Sequence, residues 1–425
     1  MSSVNFLDKL LDGVEVEWRA LGEVAEIYGG LTGKSKSDFE DGNAKYITYK
    51  NIFSNIDVDF SALEFVKVSD SENQHEVKYG DILFTGSSET ADEAGMSSSV
   101  TTRFEGPVYL NSFSFGVRFN KNASLIPEFS KYLFRSHFMR SEIAKTASGV
   151  TRFNISKERF RKIQIPIPCP KNPKKSLEIQ AEIVRILDTF TELTAELTNE
   201  LTARKKQYNY YRDQLLRFEE GDVEWKTLGE IGEVRMCKRI LKSQTSSEGE
   251  IPFYKIGTFG KVPDAYIPRC LFEEYKSKYS YPKIGEVLIS ASGTIGRTVV
   301  FDGEDSYFQD SNIVWIENNE SVILNKFLFY FYKIANWGVS EGGTIQRLYN
   351  DNLRKLLIPI PYPNDPEQSL AEQARIVAIL DKFDALTTSL TEGLPREIEL
   401  RQRQYAHYRD LLLSFPKPTQ AGECP

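Results

Sequence analysis

Three groupings of residues in this chain have types and spacings that could do chemistry. Gly29-Gly30-Leu31-Thr32-Gly33-Lys34-Ser35 offers the glycines, lysine and hydroxyl of a phosphate-cradling loop. Such a loop needs a glycine five residues before Gly33, and Tyr28 stands there. Asp264, then Glu274 and Lys276, follow the order in which metal-dependent nucleases place two carboxylates and a lysine. Nothing equivalent occurs in the first half of the chain. Nucleophilic catalysis by serine or cysteine needs a histidine base, and His75, His137 and His407 offer no plausible partner. The cysteines Cys169, Cys237, Cys270 and Cys424 are too scattered for a metal cluster or a disulfide framework. Asn172-Pro173-Lys174 lacks the rest of a base-flipping Asn-Pro-Pro-aromatic motif, and no glycine-rich methyl-donor loop is found. Binding remains.

Side chains suited to DNA recur at matching places. Ile82-Leu83-Phe84 and Val287-Leu288-Ile289 each follow a glycine–acid turn, read as buried strands, and emerge into loops of small residues. One basic cluster lies before each strand and another well after it. The first half has Lys34 and Lys36, then Gly149-Val150-Thr151-Arg152-Phe153-Asn154 with Lys157. The second has Arg235, Lys238 and Arg239, then Gly343-Thr344-Ile345-Gln346-Arg347. Arg, Lys, Asn and Gln pair with phosphates and base edges. A lone cluster reads as a solvated face; recurrence in two unlike stretches favours nucleic acid. The expected DNA-contacting residues are Lys34, Lys36, Thr85, Ser87, Arg152, Asn154, Lys157, Arg235, Lys238, Arg239, Ser290, Ser292, Arg297, Gln346 and Arg347.

These groups need a scaffold, and the chain writes it twice. Glu17-Trp18-Arg19-Ala20-Leu21-Gly22-Glu23 returns as Glu224-Trp225-Lys226-Thr227-Leu228-Gly229-Glu230. Ile165-Pro166-Ile167-Pro168 returns as Ile358-Pro359-Ile360-Pro361, each followed by a long helical segment. The proline runs read as stiff extended connectors. Between the copies lie two diverged inserts. The organisation expected is an N-terminal segment 1–24, an insert 25–164, a connector and long helix 165–220, a second entry segment 221–231, an insert 232–357, and a connector, long helix and tail 358–425. Asn5-Phe6-Leu7-Asp8-Lys9-Leu10-Leu11 resembles the helix end Tyr211–Leu216, so the repeat is cyclic and cut open inside a helix.

Apolar residues every three or four positions give the first helix a coiled-coil seam through Leu187, Phe190, Leu197, Leu201, Tyr208 and Tyr211. The second seam runs through Leu380, Phe383, Leu390, Leu394, Tyr405 and Tyr408, with four extra residues and Gly393 and Pro395 inside it. That predicts a kink or break there. Asn172 and Ser176 can cap the first helix. Short helices are expected over Phe129–Phe138 and Asn325–Asn336. The fold class is α+β: two globular α/β inserts joined by two long antiparallel coiled-coil helices, with a pseudo-twofold internal repeat.

Composition sets outer limits. Hydrophobic residues make up 40% and charged residues 27% of the 425, ordinary for a globular protein. No run is long and apolar enough for a membrane span, no leader pattern is visible, and the cysteine usage fits the cytoplasm. A formal net charge of −7 argues against a strong solitary DNA binder and allows an acidic surface for partners.

The Glu-Trp-x-x-Leu-Gly-Glu segments, the Ile-Pro-Ile-Pro segments with Gln180 or Gln373 and Ile-Val-x-Ile-Leu-Asp, and the helix ends Tyr210-Tyr211-Arg212-Asp213 and Tyr408-Arg409-Asp410 together resemble the specificity subunit of a type I restriction-modification system. The run Thr191–Leu201, with its four-residue period, is similar to the IC subgroup. The resemblance spans the whole chain. It implies two target recognition domains, each reading one half of a split double-stranded DNA sequence. It implies two methyltransferase (modification) subunits as partners, with restriction/translocase subunits recruited through them. S-adenosylmethionine, ATP and Mg²⁺ would belong to those partners, and this chain would be non-catalytic. Two rival readings are a self-contained nuclease on Asp264, Glu274 and Lys276, and a scaffold whose inserts bind protein.

Overall fold

A computed structural model describes residues 6–417 apart from 12, 121–122, 124, 220, 222 and 339–346. The chain forms two compact units, residues 1–197 with 398–425 and residues 198–397. The division cuts through the helical stretches, so each unit combines one insert with the start of one helix and the end of the other.

The proline connectors are strands. In unit 1, Gln164–Pro168 pairs antiparallel with Val16–Ala20. Backbone bonds from Leu21 N to Ile163 O and from Cys169 N to Glu15 O, both 2.9 Å, fix which pairs are hydrogen-bonded. Pro166 and Pro168 then fall opposite Trp18 and Val16, at the alternate positions that need no N–H. Unit 2 repeats the device, with Leu357–Pro361 against Val223–Thr227 and Pro359 opposite Trp225.

Both inserts carry the same two principal sheets despite their unlike sequences. Unit 1 has a four-stranded antiparallel sheet in the order Ala25–Gly29, Ser114–Phe119, Ile82–Thr85, Ser97–Ser99. Beside it lies a three-stranded sheet of Glu64–Val66, Ala44–Ile47 and Val108–Leu110. Unit 2 has Gly232–Arg235, Ile313–Asn318, Val287–Ser290, Thr298–Val300, and then Tyr266–Ile267, Ile251–Tyr254, Tyr307–Phe308. Gly80 and Gly285, both at φ +89°, turn the chain into the matched buried strands.

The helix over Pro173–Leu215 has 43 residues, about 64 Å of α-helix. Asn172 caps it by accepting from Lys175 N at 3.2 Å. Ser176, expected as an alternative cap, instead accepts from the Gln180 amide. The second stretch is broken into Pro366–Thr388 and Leu394–Leu412. Gly393 sits at φ +91° in the break, where a Cβ would come within 2.4 Å of Ala385 O. Leu390 lies in that break, 77% exposed, so it is not a seam residue. Two aromatic seam pairs form within single units. Phe190 stacks on Tyr408 in unit 1, and Tyr211 stacks on Phe383 in unit 2. Leu187, Tyr208 and Leu380 are buried, and Leu197, Leu201, Leu394 and Tyr405 are half-buried.

Each helix is tied to its insert by the same polar pair. Buried Gln180 accepts from Ile126 N, and buried Gln373 accepts from Leu324 N. Asp188 accepts from Tyr132 Oη, and Asp381 from Tyr330 Oη. The helix expected over Phe129–Phe138 is two helices, Pro127–Leu133 and His137–Ala144. Ser136 ends the first and caps the second, accepting from Met139 N. Its counterpart in unit 2 runs Asn325–Tyr332.

The first and last described segments meet in unit 1. Leu7 and Leu11 share a core with Leu412, Leu413 and Phe415. Trp18 Nε1 donates to Pro416 O at 2.8 Å, and Asp410 accepts from His137 N at 2.9 Å. In unit 2, Cys237 is buried, and burial pushes its thiol up to about 12, whereas Cys270 is exposed. Brief alkylation at pH 8, read by peptide mass spectrometry, should therefore label Cys270 and spare Cys237. Equal labelling would show that the sheet around Cys237 opens readily.

Candidate nucleic-acid interface

In unit 1 the two loops singled out by sequence meet as strands. Phe153–Ile155 pairs antiparallel with Ser87–Ser88 and with Ala147–Ser148. The Gly149–Arg152 turn between the last two leaves Val150 92% exposed. Gly149 has φ +148°, and a Cβ there would meet Arg152 O at 1.9 Å, so the turn closes only on glycine. Unit 2 makes the same junction in reduced form. Ser292 bridges Arg347 antiparallel, and Leu348 N donates to Ala291 O at 2.7 Å. Gln346 lies outside the described residues.

Around this junction a cavity of about 600 Å³ opens in unit 1. Tyr49 and Phe53, stacked with centroids 5.9 Å apart, form one wall. Glu89 and Glu93 line it on the loop that follows Ser88, and Thr151 and Arg152 on the turn. Tyr49 Oη donates to Ser87 O at 2.7 Å, and Arg152 Nε donates to Ser87 Oγ at 3.2 Å. Burial raises the Tyr49 phenol, opposed by Thr85 and Arg152 and reinforced by Glu93 and Glu89. Two arginines hold the walls from behind. Arg135 donates to Ile52 O, Phe53 O and Asn55 O at 3.0–3.3 Å and to Ser97 O at 2.7 Å. Arg140 donates to Asp92 O and Ala94 O, both at 2.7 Å, and to Gly95 O. Burial pushes both guanidinium groups down to about 10, which leaves them charged at neutral pH.

The expected contact residues separate into two sets. Lys36, Arg152, Asn154, Lys157, Lys238 and Arg347 are exposed. Lys157 lies over the Phe115 ring and Lys238 over Tyr279. Arg347 donates to Ser311 Oγ at 3.0 Å, and Arg297, half-buried, donates to Phe259 O at 3.0 Å. The others are buried or already paired. Thr85 is fully buried, its hydroxyl accepting from Met96 N at 2.9 Å. Ser290 is 2% exposed and holds Arg297 N and Thr294 O. Ser87 and Ser292 are also buried, their hydroxyls engaged by Arg152 and Asn312. Lys34 is turned inward to Glu72 and Lys67 O, and hydrogen bonding from Lys34 and Gln74 lowers the Glu72 carboxyl to about 2. Arg235 pairs with Glu317 and Glu233, and Arg239 with Asp310. Tyr49, Phe53, Glu89, Arg135 and Arg140 were not anticipated. Their only sequence signal was ordinary helix and loop composition.

The nuclease arrangement does not assemble. Asp264 pairs with Lys255, Glu274 with Lys278, and Lys276 with Asp305. Among the described residues no group of three His, Cys, Asp or Glu is placed to hold a metal ion, and no helix is long and apolar enough to cross a membrane.

Two duplicated frames, each presenting one of two unlike inserts, match a known family twice over. Residues 13–204 and 220–400 both fit the type I restriction modification DNA specificity domain, and the chain belongs to that family. It is 48% identical to a Haemophilus influenzae protein described as a type I restriction enzyme specificity subunit, over 96% of this chain and 98% of that one. It is 36% identical to the specificity subunit of the Escherichia coli type I enzyme EcoR124I/EcoR124II, over 98% and 99%. A chain from a solved type I restriction-modification system, described in terms of complex assembly and conformational transition, superposes with a TM-score of 0.59. That match has 17% identity and covers 94% of this chain and 97% of that one.

Proposed function

We propose that this chain is the sequence-reading subunit of a type I restriction-modification complex. Each insert reads one half of a bipartite, asymmetric double-stranded target. Bound methyltransferase subunits then methylate adenine, and restriction/translocase subunits recruited through them cleave at the expense of ATP. The chain itself is non-catalytic and works in the cytoplasm; S-adenosylmethionine, ATP and Mg²⁺ are held by the partners. The observation that carries this reading is the junction built twice, Ser87 with Asn154 and Ser292 with Arg347, on matched strands but with different neighbours. One scaffold that presents two different sets of polar side chains suits two different half-sites. The family membership and the full-length relatives agree with it.

The test is exchange of residues 232–357 for the insert of another such subunit, followed by methylation mapping in cells that also make the methyltransferase. One half of the recognised sequence should change and the other should not. A change in both halves, or in neither, would sink the modular reading.

A further inference from the structure

The unit 1 cavity has a chemistry that, among the described residues, the matching loop of unit 2 does not offer. After Ser88 the chain offers Glu89 and Glu93, both exposed and both lining the cavity. After Ser290 in unit 2 the loop runs Ala291-Ser292-Gly293-Thr294-Ile295-Gly296-Arg297, with no carboxylate and a guanidinium at its end. An ionised carboxylate only accepts hydrogen bonds. In the major groove, cytosine presents a donating N4 amine, and guanine at the same pair presents only acceptors there. A glutamate that faces this edge rewards cytosine and repels guanine, thymine and phosphate.

Resting on the DNA-reading role proposed above, we propose that the unit 1 cavity reads a cytosine, with Glu89 or Glu93 accepting from its N4 amine. Arg152, on the turn, lines the same cavity and adds a positive charge to it without pairing with either glutamate. The stacked rings of Tyr49 and Phe53 give the base an apolar wall. Three parts of the cavity are set before DNA arrives. Arg135 fixes the end of the Tyr49–Ser54 helix, Arg140 fixes the loop from Asp92 to Gly95, and Tyr49 Oη is bonded to Ser87 O. Preorganised walls discriminate better than mobile ones, because less ordering accompanies binding.

The experiment uses the full chain with its methyltransferase. Wild-type half-sites are mapped first, then those of Glu89→Gln, Glu93→Gln and the double variant. One G·C position in one half-site should lose its preference for cytosine roughly 5- to 150-fold. That position should move toward adenine, because a glutamine amide both donates and accepts on the adenine edge. The other half-site should be untouched. Unchanged preference at every position in the double variant, or a unit 1 half-site without any G·C pair, would overturn the proposal. Exchange of residues 25–164 separates the two failures. If that exchange moves neither half-site, the DNA-reading role itself falls. If it moves one while the glutamine variants do nothing, only the cytosine pocket falls.

Discussion

Raising monovalent salt from about 50 to 200 mM should weaken specific DNA binding by the assembled complex roughly a thousandfold. The expectation comes from counting cations that are free to meet phosphate. Lys36, Arg152, Lys157, Lys238, Arg297 and Arg347 make no ion pair with any described carboxylate. Lys34, Arg235 and Arg239 are already neutralised by Glu72, by Glu233 with Glu317, and by Asp310. Six contacts, at about −0.9 each, give a slope of log affinity on log salt near −5. The isolated chain, with a net charge of −7, should bind far more weakly than the complex. Fluorescence anisotropy across a salt series measures both. A slope shallower than about −2 would mean these cations do not reach the backbone. One steeper than about −9 would assign most phosphate contacts to the partners.

Arg135→Met should destabilise unit 1 by about 3–5 kcal/mol, among the largest effects available to a single substitution. The methionine keeps much of the volume and removes the donors. Three carbonyls at the end of the Tyr49–Ser54 helix and one at Ser97 then lose their partner together. Arg135→Lys should recover only part of the loss, since an ammonium is a point donor and cannot span four carbonyls in a fixed fork. Hydrogen exchange over the Tyr49–Ser54 helix, with urea unfolding of the full chain, reads the effect. A change below about 1 kcal/mol would mean that water replaces the guanidinium and that the cavity wall stands without it.

The frame was legible because its signals are local. Glycine before an acidic residue marked both turns, the proline pairs marked extended chain, and Gly393 with Pro395 marked the helix break. Even so, Ile165–Pro168 reads as a connector in sequence, because the partner that makes it a strand lies at Val16–Ala20, far away along the chain. The site was legible in part. Sequence brought out both faces of the junction, Ser87 and Arg152–Asn154, but could not show that they touch. It also could not show that Thr85 and Ser290 point inward. Sequence counted Lys34, Arg235 and Arg239 as basic, while their acidic partners arrive only with the fold. Arg135 and Arg140 escaped notice for the same reason: they bind backbone carbonyls, and carbonyls leave no mark on a sequence.

The shared core of Leu7, Leu11, Leu412, Leu413 and Phe415 has a consequence for how the protein is made. A ribosome delivers the first insert early, and a nascent chain ordinarily completes its N-terminal domain first. Here that order is reversed. Unit 2, residues 198–397, holds all of its own chain once the first turn of the last helix is synthesised. Unit 1 waits for Phe415 and Pro416 to close over Phe129 and Trp18. The unit begun first is therefore finished last, and until residues 412–416 are made it carries an open apolar seam.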